Sequence, residues 1–238
     1  MFSLLEDTIV YQNQSFESKH LVWNLLINAR KMIKSVYRFK HFDEYSRELQ
    51  SGSENKSEVY WKASSDEKLI DIIKISAAFE AFNKAVLINE GVIVHKIDSK
   101  VNSTLRKKQY KGEVVRREEF IKNNFTRLDW KQKRATLCGF SKSLFTISYS
   151  ETLSDSYQSI IRLDKQLIHE LRVINKKRNR LHFNLDEKGA FEVSDHLAKW
   201  QLIKDKSLNV INEGLRKQEA NLEAHDSLYC DVYFEDNW

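Results

Sequence analysis

The 238 residues contain no proline and only six glycines. Both residues interrupt helices, proline by removing an amide donor and clashing with the preceding turn, glycine through its backbone entropy. A chain with so few of either has little material for many tight turns, and the composition points to an all-α fold. Cysteine is nearly absent as well. Cys138 and Cys230 give no disulfide framework and no metal-ligand spacing, so a reducing compartment is expected. No apolar run reaches about 18 residues, so no membrane-spanning helix is expected. The N-terminus carries Glu6 and Asp7 with no basic leader, unlike a signal peptide. These readings together predict a cytoplasmic protein with no membrane partner. The glycines are dispersed and form no phosphate-binding loop, so no cofactor is expected. His169, His182, His196 and His225 have no acidic or thiol partner at ligand spacing, and no metal site is expected.

What is present is charge. Hydrophobic residues make up 41% and charged residues 31%, which suits a folded, charge-rich protein rather than a disordered one. The formal net charge is +5, but it is unevenly spread. Lys100 to Lys142 hold 13 Lys or Arg against 4 Asp or Glu, a balance of +9 that leaves −4 for the rest. Glu219 to Trp238 hold six acidic residues and no Lys or Arg. Arg106, Lys107, Lys108, Arg116, Arg117, Lys131, Lys133 and Arg134 are interleaved with Tyr110, Phe120, Phe125 and Trp130. Cations among aromatics suit phosphate contacts and base stacking. They equally suit an amphipathic, salt-bridged surface whose rings pack inward.

The chain reads as a single helical domain, 1–238, with a basic insertion at 99–135 and an acidic, aromatic tail at 225–238. A long helix is predicted from Ser15 to about Glu48, on a stripe of Leu21, Leu25, Ala29, Met32, Ile33 and Val36. Ser51–Ser57 reads as a linker, and Ser64 with Glu67 has capping-box spacing. The helix from Glu67 to about Asn89 is apolar around much of its circumference and is expected to lie centrally. Gly91 is placed as its left-handed C-terminal residue. Val92–Ile97 reads as a strand-like link or a buried connector, with His95 structural. A helix is expected to end near Ser148–Ser150, with periodicity resuming to Lys177 and a break near Asp164. Ser194 and Asp195 are read as the cap of a last long helix reaching about Ala224.

The stretch from Leu167 to Phe183 carries the functional signal. Leu167, Leu171, Ile174, Arg178 and Leu181 follow helical spacing, and Arg178 stands where the pattern calls for an apolar residue. His182 lies four positions on, along the same helical face. Arginine can grip a phosphate with its guanidinium fork and stabilise a phosphorane-like transition state. Histidine can move protons near neutral pH, and Asn179 can orient the histidine or bind a phosphate oxygen. These are the tools of metal-independent RNA cleavage by an adjacent 2′-hydroxyl. Lys176, Lys177 and Arg180 add positive potential, and Glu80 either forms a partly exposed i, i+4 ion pair with Lys84 or faces Arg178 from the central helix. One histidine serves as acid or base but not readily as both, so a symmetric dimer that pairs two sites is expected.

The run Lys177-Arg-Asn-Arg-Leu-His182 resembles the signature of HEPN domains, in which an arginine, commonly followed by a polar residue, precedes a histidine. The apolar segment Ala78-Phe-Glu-Ala-Phe-Asn-Lys84 is similar to the early helix of many such proteins, which often carries an acidic residue near the site. The resemblance covers most of 65–224. It matches Arg178, Asn179 and His182 by type, with three residues between Arg178 and His182, one fewer than the family's usual minimum. It implies an antiparallel helical bundle and a metal-independent ribonuclease, acting on RNA as a homodimer. A bacterial defence or toxin–antitoxin setting, with an antitoxin or other defence protein as partner, is implied too. In this reading Arg178, Asn179 and His182 are catalytic, and Glu80, Lys177 and Arg180 supporting. The family's inactive members imply an alternative, a non-catalytic module for nucleic acid, nucleotide or a protein partner.

Overall fold

The computed structural model describes residues 3–11, 14–43, 47, 54–97, 103–116, 118–119, 126–129, 134–137, 146–181 and 193–223. Most of these are helical, as the composition predicts. In chain order the elements are β1 (Ser3–Tyr11), β2 (Gln14–Glu17), α1 (Ser18–Lys34), α2 (Tyr37–Lys40), α3 (Glu54–Asn89) and α4 (Ser103–Tyr110). They continue with β3 (Thr126–Asp129), β4 (Arg134–Leu137), α5 (Tyr149–Thr152), α6 (Asp155–Ile161), α7 (Lys165–Leu181) and α8 (Val193–Glu223). The chain divides into two compact units. One comprises Met1–Leu26, Asn83–Arg162 and Glu213–Trp238, the other Ile27–Phe82 and Leu163–Asn212.

The four short strands were not foreseen. They form one sheet in the order β2-β1-β4-β3, within the first unit. β1 runs antiparallel to β2 and parallel to β4, with a register shift between Leu4 and Ile9, and β3 and β4 are antiparallel. Two of the strands lie in or against the segment read as a basic insertion, so that segment contributes to a sheet. The same unit has a core of Ala85, Leu87, Ile88, Val92, Ile93, Val94, Ile97, Leu105, Val115, Ile147, Leu153 and Tyr157. Val92–Ile97 is a buried connector that makes single β-bridges, Val92 with Arg116 and His95 with Thr146. Gly91 ends the turn after α3 at φ +72°, the left-handed conformation glycine accepts without a Cβ clash.

In the second unit the predicted helix 15–48 breaks at Ser35 and Val36. The buried side chains along α1 and the break are Val22, Trp23, Leu26, Ala29, Ile33 and Val36, a stripe rotated from the predicted one; Leu21, Leu25 and Met32 are only half-buried. The break is stitched from α3. The fully buried Asp71 carboxylate accepts the Tyr37 and Arg38 amides at 2.8 and 3.1 Å, while Lys74 Nζ donates to the Ser35 carbonyl at 2.8 Å. One turn of α3 thus caps the start of α2 and the end of α1.

The predicted linker and cap before α3 are also corrected. α3 is continuous from Glu54, which puts Ser64 and residues 54–57 of the predicted linker inside the helix; residues 51–53 lie outside the described residues. Ser148 begins a helix rather than ending one. Its Oγ accepts the Glu151 amide and its own amide donates to the Glu151 carboxylate, the reciprocal capping box. The break near Asp164 is present: Arg162 is left-handed at φ 59°, and the Asp164 carboxylate caps α7 by accepting the Gln166 and Leu167 amides. α8 starts at Val193, which puts Ser194 inside it.

Candidate functional site

α7 is amphipathic. Leu167, Leu171 and Ile174 are buried, and the same stripe then presents Arg178, half-exposed, near the helix C-terminus. Arg178 Nη1 lies 3.7 Å from Glu80 Oε2 on α3, with the two side chains 31% and 28% exposed. That distance is an ion pair but longer than a hydrogen bond. The carboxylate fixes the side of the guanidinium that faces α3 and leaves part of its fork at the surface. Asn179 is exposed, and Lys177 is half-buried. Lys176 is exposed too, which adds positive potential beside Arg178. α7 extends to Leu181, the residue before His182. His182 itself and the Arg180 side chain lie outside the described residues, as does the acidic tail at 225–238. The structure therefore brings Glu80 and Arg178 together, one of the two pairings the sequence allows for Glu80, beside an exposed Asn179.

The basic segment belongs to the other unit, and its cations differ in state. Lys107 is exposed and Arg106 half-buried. Lys108 is bound to Glu119, whose carboxylate also accepts the Arg116 amide. That pairing raises the Lys108 pKa and lowers that of Glu119. The Arg116 guanidinium donates to the Glu90 carbonyl at 3.3 Å. Arg134 sits in β4. Arg117, Lys131 and Lys133 lie outside the described residues. Two of the named cations thus brace the fold, which weakens a purely ligand-directed reading of this segment.

The chain matches no family model, no curated protein and no solved structure. Any functional reading rests on the residues themselves. Among the described residues no group of three His, Cys, Asp or Glu could hold a metal ion, and no helix is long and apolar enough to cross a membrane.

Three polar side chains, Gln109, Asn83 and Lys84, organise the first unit. Gln109 is fully buried, donates to the Ile93 and His95 carbonyls at 3.3 and 2.8 Å, and accepts the Ile97 amide at 2.9 Å. It satisfies the connector's backbone in place of a sheet neighbour. Asn83 Nδ2 donates to Thr152 Oγ1 at 3.0 Å, and Lys84 Nζ to Thr146 Oγ1 at 2.8 Å. A polar residue in the middle of an apolar pattern was the available signal for Asn83; Gln109, in a cationic helix, offered none. His95 is structural. Burial, helped by the nearby Lys84 charge, lowers its pKa from 6.5 to about 4 and keeps its ring neutral.

Proposed function

We propose that this chain is a metal-independent endoribonuclease of the HEPN type, acting as a homodimer in a bacterial defence or toxin–antitoxin-like system. The observation that carries the reading is Arg178, held by Glu80 near the end of α7 with part of its fork at the surface. In the proposed reaction the ribose 2′-oxygen attacks the adjacent phosphorus and loses its proton to a base. The bond to the 5′-oxygen breaks, and that oxygen takes a proton as it leaves. Arg178 neutralises the charge that builds on the phosphoryl oxygens, Asn179 positions the phosphate or the histidine, and His182 transfers a proton. The second copy supplies the second histidine. Lys177 and Arg180 raise the local potential, and the exposed cations of the basic segment recruit RNA in the cytoplasm. An antitoxin or other defence protein would restrain the activity.

The test is cleavage of labelled RNA in excess EDTA. His182→Ala and Arg178→Ala should each lose at least about 100-fold in rate, the scale of general acid–base and electrostatic contributions. Activity that survives His182→Ala, or that EDTA abolishes, rules the mechanism out. The three-residue spacing between Arg178 and His182 favours one other reading, a non-catalytic module of the same type. RNA binding with steep salt dependence and no cleavage would decide for it.

A further inference from the structure

From Ser18 to Phe42 the chain carries six Lys or Arg (Lys19, Arg30, Lys31, Lys34, Arg38 and Lys40) and no Asp or Glu. The last five belong to the second unit, on the final turns of α1 and on α2. Lys31 and Lys40 are exposed. Partial burial, with the Arg30 charge beside it, holds the Lys34 ammonium below the ordinary lysine range.

Aromatic rings stand among these cations. Tyr37 and His41 have ring centroids 4.4 Å apart. The Arg38 guanidinium lies over the Trp200 ring at 4.7 Å, Phe39 meets the same indole edge-on at 6.0 Å, and Lys204 lies over Phe42 at 5.2 Å. Phe39 is buried and anchors the group, whereas Tyr37, Arg38, His41, Phe42 and Trp200 are only half-buried. Among the described acids near this surface, the exposed Asp205 beside Lys204 accepts from Gln201. Asp71 is buried and accepts two backbone amides, and Asp43 lies 3.9 Å from Lys204 at the edge. Two ring–cation stacks and a ring pair, set in a cationic strip, form a surface on which unpaired bases can lie flat while the lysines meet phosphates.

We propose that α2 and the Trp200–Lys204 turn of α8 form a binding platform for single-stranded nucleic acid. Bases stack on the Tyr37/His41 pair and on the outer plane of the Arg38 guanidinium, and Lys40 and Lys204 contact the backbone. A duplex hides its base faces and fits this surface poorly.

The probe is fluorescent oligothymidylate, which has no 2′-hydroxyl and so cannot be cut by the proposed ribonuclease chemistry. Binding is thereby read separately from cleavage, and a ribonuclease that fails leaves this proposal standing. Wild-type protein should bind the single strand more tightly than a duplex of equal length. Trp200→Leu should weaken binding about tenfold, because the Arg38 guanidinium that takes one base loses the ring that holds it flat, at an unchanged melting temperature. Lys40→Gln combined with Lys204→Gln should flatten the dependence of log affinity on log salt by about 0.7 per cation removed. Failure of the wild type to bind overturns the proposal. So does full affinity in a folded Trp200→Leu, or a duplex bound as tightly as the single strand. Should Trp200→Leu lower the melting temperature, the lysine pair decides, and an unchanged salt slope overturns the platform.

Discussion

His95 is a histidine kept from taking up a proton, and that has a cost under acid. Its folded pKa of about 4 lies below the 6.5 of the unfolded chain, so the unfolded state gains the proton first as pH falls. The associated stability is complete above pH 6.5 and is lost as pH drops toward about 4, by up to about 3 kcal/mol. Chemical denaturation across that window should show the midpoint falling, and His95→Gln should flatten the fall; an equal slope in the variant would rule the assignment out. Asp71 acts with the opposite sign. Burial raises its pKa despite the two amides it accepts, so the folded chain holds that proton more tightly and acidification through its range stabilises.

At the scale of elements, the join between α1 and α2 is fixed from outside. Removing the carboxylate with Asp71→Ala leaves two amides uncapped in a buried setting and should lower stability by about 2 kcal/mol, read from the urea midpoint. A midpoint unchanged from wild type would show that the stitch is not needed. This join also explains what the sequence could and could not reveal. The end of α3 at Gly91, the Asp164 break and the buried stripe of α7 are set by neighbours within a turn or two, and their residues announce them. Glu80 and Arg178 were legible because each is a charge in an apolar pattern. The cap of α2 comes from Asp71, far along the chain, and no local residue signals it. The sheet was hidden for a similar reason: its strands are short, and β1 finds β4 only in three dimensions. The Ser148–Glu151 pair has capping-box spacing, but the serines and threonines ahead of it give the same stretch the look of a helix end.

For the whole molecule, the proposed chemistry requires two chains. Cleavage per chain should fall on dilution below the dimer dissociation constant. Adding inactive His182→Ala chain to wild type should inhibit beyond simple dilution, because mixed dimers lack one histidine. A rate strictly proportional to concentration, with mixtures merely additive, would point to a monomer. The division into two discontinuous units carries a further consequence, for the order of synthesis. β1 is made well before its neighbour β4, and the first unit lacks a segment until Glu213 has been added. The second unit waits for Leu163–Asn212. Neither can close on a partly made chain, so β1, though paired with β2, keeps its other edge open, and apolar helix faces stay uncovered, until the later segments arrive. Closure of each unit therefore waits on contacts between segments far apart in the chain.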